Sequence, residues 1–196
     1  MKQFAACALA ALFASAIGST AAWAAETAPQ GVIEYANQQL VKLGEEAAIV
    51  KAVQEANAKG LTLEEIKKID EKWQATPGID DFMKSLMESE CGKFLAELTK
   101  KTPFLAEIFV MDNQGANVAL NNKTSDFWQG DEPKFTESYK DGNGAVHFSN
   151  VEFDDSTQAY MVQISVPVRD PQDKTKAIGA ICVGVDLDKF DELTKK

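Results

Sequence analysis

The sequence predicts an α+β fold, with N-terminal long helices followed by a five-stranded, mostly antiparallel sheet. Three observations point there. Apolar residues recur every three or four positions from Gln30 to Thr99. After Pro103 the apolar period drops to two. Short clusters of Asp, Asn, Gly and Pro separate the period-two runs.

The first helix spans 30–58, with Val32, Ile33, Ala36, Leu40, Leu43, Ala47, Val50 and Ala56 on its inward face. Lys59-Gly60 ends it, glycine being suited to a left-handed cap. Thr62, with Glu65 three residues on, forms a capping box that opens a second helix. Its inward face is Leu63, Ile66, Ile69 and Trp73, and Pro77-Gly78 breaks it. A third helix runs over 79–99, with Phe82, Met83, Leu86, Met87, Phe94, Leu95 and Leu98 inward; Met83 and Met87 read as core filler. Strands follow at 107–111 and 117–120, joined by the turn residues Asp112-Asn113-Gln114-Gly115. Residues 121–141 are polar and aromatic and do not alternate, so they form a helical or looped insertion. Three more strands are expected at 145–153, 158–168 and 177–187. The division is a helical region at 25–100 and a sheet region at 101–196, folded as a single domain. One sheet face packs on the long helices and the insertion covers part of the other.

Residues 1–24 read as an address. A charged start (Met1, Lys2) precedes an apolar run from Phe4 to Ile17 and an Ala22-Trp23-Ala24 site, the order of a secretory signal peptide. The run is too short for a membrane span of about 20 residues. Cys7 lacks a lipobox around it. Cleavage after Ala24 would send a soluble product to the periplasm. Cys91 and Cys182 then remain, and they read as buried thiols rather than a bridge.

Composition excludes more than it names. The chain has 196 residues, 20 Lys+Arg against 30 Asp+Glu, and a formal charge of −10. A nucleic-acid binder needs a basic surface, so no nucleic acid is expected. His147 is the single histidine, which excludes a multi-histidine metal site within the chain. No glycine-rich phosphate loop or haem attachment site is present, and no cofactor is expected. No catalytic residues are expected either. Cys91 or Cys182 with His147 has no orienting third group, and Ser125 and Ser165 lack a nucleophile elbow. Asp131 and Glu132 are adjacent, which does not give the opposed carboxylates of a glycosidase.

Strand alternation suggests a pocket. In 158–168, Tyr160, Val162, Ile164, Val166 and Val168 share one face, and Ala159, Met161, Gln163 and Ser165 the other. In 177–187, Ile178, Ala180, Cys182, Gly184 and Asp186 oppose the bulky Ile181, Val183 and Val185. Small residues leave volume, and a few polar groups orient a ligand. The segment Thr124-Ser125-Asp126-Phe127-Trp128-Gln129-Gly130-Asp131-Glu132-Pro133-Lys134-Phe135 would wall the pocket. Trp128 offers a stacking plate, and a Thr124, Ser125 or Asp126 side chain can cap a short helix. The expected ligand-binding residues are Trp128, Asp131, Glu132, Lys134, Tyr160, Gln163, Ser165 and Arg169. Asp131 or Glu132 would hold a cation, and Lys134 or Arg169 a carboxylate.

Several strings carry a family resemblance: Ile108-Phe109-Val110-Met111-Asp112-Asn113-Gln114-Gly115, the 124–135 segment, Phe153 to Tyr160, Gln163-Ile164-Ser165-Val166-Pro167-Val168, and Ile178-Gly179-Ala180-Ile181-Cys182-Val183-Gly184-Val185-Asp186. The chain resembles a stand-alone periplasmic PDC-type, Cache-like (PAS-like extracytoplasmic) sensor domain protein of bacteria over residues 60–190. The resemblance implies a pocket for an amino acid or small carboxylate on the sheet face, a membrane-bound transducer as partner, and a homodimer made through the long helices. The dipolar amino-acid clamp of many Cache sensors is not recognisable here. The alternative reading is a structural or adaptor dimerisation protein with no ligand, in which bulky side chains would fill the room at Ala180 and Gly184.

The leader assignment is open to a direct check. Intact-mass measurement of the exported product should give a chain starting at Ala25, and a mass retaining residues 1–24 would contradict it.

Overall fold

The computed structural model describes residues 27–154 and 158–194. The signal-peptide assignment therefore lies outside the described residues. No helix among the described residues is long and apolar enough to cross a membrane.

The helical half is more broken than the periodicity suggests. Helix α1 (Gln30–Tyr35) runs on through a π-helical stretch (Ala36–Leu40) into α2 (Val41–Leu43), and a separate α3 spans Ala47–Lys59. The break has a steric cause. The Gly44 carbonyl accepts the Arg169 N–H at 2.8 Å, and a Cβ on Gly44 would collide with the Pro167 carbonyl oxygen. The chain turns there because it touches the sheet. Helix α4 (Leu63–Ala75) begins on the expected capping box, with both reciprocal bonds of Thr62 and Glu65 present. The expected third helix is two, α5 (Asp81–Met87) and α6 (Glu90–Lys101). Ser89 caps α6 by accepting the Gly92 N–H at 2.9 Å. A Cβ on Gly92 would strike the carbonyls of Leu86 and Met87, so only glycine permits this corner.

Six strands form one antiparallel sheet: β1 (Leu105–Met111), β2 (Asn117–Leu120), β3 (His147–Phe148), β4 (Glu152–Asp154), β5 (Ala159–Arg169) and β6 (Ala177–Asp186). The order is β2-β1-β6-β5-β3, and β4 also pairs with β5. The fold class is the α+β arrangement expected, with one strand divided. The expected 145–153 strand splits because Ser149 interrupts the ladder: its hydroxyl, not a carbonyl, accepts the Gln163 N–H at 2.8 Å. Between β2 and β3 lie a short helix α7 (Pro133–Tyr139) and a 3₁₀ turn (Lys140–Gly142). Glu132, not Thr124, Ser125 or Asp126, is the N-cap residue of α7. A C-terminal helix α8 (Leu187–Thr194) was not expected. Asp186 starts it by accepting the Lys189 N–H at 3.0 Å, and Phe190 packs edge-on against Phe104.

The sheet has two covered faces. On one, Val162, Ile164, Val166, Val168, Ile181, Val183 and Val185 pack with Val32, Leu40, Ile49, Val53, Leu95 and Phe190 from α1, the π-helical stretch, α3, α6 and α8. On the other, Phe109, Met111, Ala180 and Cys182 pack with Phe127, Phe135, Ile66, Trp73 and Met83. Helix α4 thus joins the insertion rather than the other long helices. The Trp73 indole N–H donates to the Thr124 carbonyl at 2.8 Å, and the Trp73 ring lies 5.7 Å from that of Phe127. One oxygen of Asp70, Oδ1, accepts the N–H groups of both Phe127 (2.7 Å) and Trp128 (3.1 Å). These bonds staple the insertion to α4.

Replacing Asp70 by Ala leaves two backbone donors without that acceptor, at a cost of about 1–3 kcal/mol. Urea denaturation should show that loss, with Asp70→Asn milder because its carbonyl still accepts. Unchanged stability in Asp70→Ala would show that the staple does not hold the insertion.

Candidate functional site

The insertion walls a cavity on the expected sheet face. The cavity is about 540 Å³, within the range of small-ligand sites. Its walls are Glu132, Pro133 and Lys134 at the start of α7, His147 to Asn150, Glu152 to Asp154 on β4, and Met161 and Gln163 on β5. Register explains the grouping. Ser165 stands opposite His147 on one side and Cys182 on the other, and Gly184 stands between Gln163 and Glu107. Directly opposed residues share a face, so Glu107, Gly184 and Gln163 form one row beneath the insertion.

The room over the small residues of β6 is taken. Phe135, stacked on Tyr139 at 5.1 Å, shares a buried cluster with Ala180 and Cys182. A Cβ on Gly184 would meet the Met161 methyl at 3.2 Å and Glu107 Cβ at 3.5 Å. The cavity is consequently displaced from β6 towards β3, β4 and the outer half of β5.

The expected site residues divide among five places. Glu132, Lys134 and Gln163 line the cavity. Trp128 and Asp131 line an outer groove of about 490 Å³ with Asp70, Asp126 and Glu132, so Glu132 and Pro133 are a wall shared by both spaces. The Trp128 ring carries the Lys67 ammonium 4.7 Å from its centroid, and its indole N–H donates to the Gln114 carbonyl at 2.8 Å. Ser165 is on the cavity side of the sheet but fully buried, its hydroxyl near the Cys182 thiol. Tyr160 is on the opposite face, exposed, its ring 5.3 Å from Phe153. Arg169 is held at the far end of β5 by the carbonyls of Asn143 and Thr175. Alternation separates Tyr160 from Gln163, and the length of β5 separates Arg169 from Lys134.

Lys134 sits in a charged cluster. Its side chain is 18% exposed and its ammonium lies 3.0 Å from a Glu132 oxygen. Glu107, half-buried on β1, is the second carboxylate that feels it. Burial holds the Glu107 carboxyl above its usual range; Lys134 opposes that shift and Asp154 adds to it. Glu107 was missed as a candidate, although its alternation with Phe109 and Met111 already placed it on the insertion face. Cys91 and Cys182 are free and buried, and burial pushes both thiols up to about 12. Among the described residues no group of three or more His, Cys, Asp or Glu is arranged to hold a metal ion.

A carboxyl whose pKa is raised in the folded state adds stability below its unfolded value and loses it as pH rises through the folded value. Glu107→Gln should therefore melt higher than wild type at pH 7, with the difference shrinking towards pH 4. An equal difference at both pH values would contradict the assignment.

No family model matches the chain, and no curated protein matches it. The chain is similar to solved sensor domains. The histidine kinase DctB sensor domain of V. cholerae shares 16% identity over 85% of this chain and 53% of that one, with a TM-score of 0.49. The ligand-binding domain of the Campylobacter jejuni chemoreceptor Tlp3, in complex with 4-methylisoleucine, shares 12% identity over 82% and 65%, with a TM-score of 0.40. The E. coli DcuS sensor domain shares 15% identity over 67% and 94%, with a TM-score of 0.37. This chain spans 53% of the DctB domain and 65% of the Tlp3 domain. These likenesses bring no ligand or partner to this chain.

Proposed function

We propose that this chain is a periplasmic small-molecule-binding sensor module, without enzymatic activity, that passes its signal to a separate membrane-bound transducer. The observation that carries the reading is the cavity under the insertion. It has the volume of a small-metabolite site, and it is bounded by segments of three kinds: the start of a short helix, the β3–β4 connection and a central strand. Occupancy would therefore add contacts that join all three segments at one point. Gln163 and His147 line it with no hydrogen-bond partner for either side chain among the described residues, which leaves them for a ligand. The expected dimer through the long helices belongs to the same proposal.

The adaptor reading has one observation in its favour, the filling of the space at Ala180 and Gly184 by Phe135, Met161 and Glu107. One experiment separates the two. The chain from Ala25 is screened by thermal shift against amino acids, small carboxylates and amines. A ligand at 100 times its Kd adds about 2.7 kcal/mol, or several degrees for a domain of this size. Gln163→Leu should abolish the shift. No shift with any compound, from a protein that melts cooperatively, would contradict ligand binding and favour the adaptor.

A further inference from the structure

We infer that the cavity under the insertion takes a small organic cation, an amine without a compensating carboxylate. This inference rests on the ligand-binding reading above and concerns the class of ligand.

The described walls carry three carboxylates, Glu132, Glu152 and Asp154, against one ammonium, Lys134, counting histidine as neutral. Lys134 is already neutralised: it is paired with Glu132 at 3.0 Å, largely covered, and close to the half-buried Glu107. An incoming carboxylate would have to compete with two fixed carboxylates for that ammonium. Arg169, the chain's single arginine, is held by two carbonyls at the far end of β5. An incoming ammonium meets the reverse situation. Glu152 is exposed on β4 and has no ion pair among the described residues.

The adjoining groove is acidic as well. Across the shared Glu132–Pro133 wall, Asp70, Glu71, Asp126 and Asp131 surround Trp128. The ring there already holds an ammonium, that of Lys67, at 4.7 Å.

Matched pairs test the inference by calorimetry on the chain from Ala25: agmatine against arginine, cadaverine against lysine, with glutarate as the anion. Each amine should bind at least tenfold tighter than its amino acid, and glutarate should not bind. Glu152→Gln, at an exposed position that leaves the fold intact, should weaken the amine roughly three- to tenfold. Raised salt should weaken it further. Tighter binding of the amino acids, or glutarate binding that strengthens in Glu152→Gln, would overturn the cation class and leave the sensor reading standing. Absence of binding by all five compounds, together with no stabilisation in the broader thermal-shift screen, would overturn both.

Discussion

The central strands β5 and β6 differ in residue size between their two faces, and the other elements are placed by that difference. Val162, Ile164, Val166, Val168, Ile181, Val183 and Val185 cover one face with branched side chains. That surface needs thick apolar cover, and α1, α3, α6 and α8 supply it. The opposite face carries Ala180, Cys182, Gly184, Gln163 and Ser165. Small residues let the insertion approach closely, so Phe135 can settle over the centre of the sheet. The start of α7 then stands off from the outer strands and leaves a cavity there.

The charged groups follow from the same geometry. Lys134 leads into the covered face and would be costly there without a counter-charge. Glu132 provides it from the preceding cap, and Glu107 on β1 adds a weaker attraction that its own burial outweighs. The cluster orients the start of α7 by electrostatics while Asp70 fixes the preceding segment by hydrogen bonds. The wall of the cavity is thus held at both ends, a requirement for any site that must present polar groups in fixed positions.

Alternation in β5 and β6 made the two faces legible before any coordinates, and the capping box of Thr62 and Glu65 made the start of α4 legible. What the sequence did not disclose depends on contacts distant along the chain. The break at Gly44 exists because its backbone meets Pro167 and Arg169. The split between β3 and β4 exists because the Ser149 hydroxyl reaches Gln163. The partition of α4 to the insertion side depends on Trp73 and Asp70 finding residues 124–128. The 124–135 segment was expected to wall one pocket, but the turn at Glu132–Pro133 divides its side chains between two spaces. Glu107 was legible by its alternation with Phe109 and Met111, on the strand beneath the insertion.

The central claim is that an open cavity lies over Gln163 beneath an insertion that seals the rest of that face. Thiol accessibility tests it most directly, because burial raises both native thiols of the chain from Ala25, Cys91 and Cys182, to about 12 and leaves them inert. In a Gln163→Cys variant, iodoacetamide should alkylate one thiol rapidly, whereas Ser165→Cys, two residues along the same face but fully buried, should remain as unreactive as the native pair. Equal silence of Cys at 163 and at 165 in the folded protein would show that no open cavity lies over Gln163 and would contradict the account.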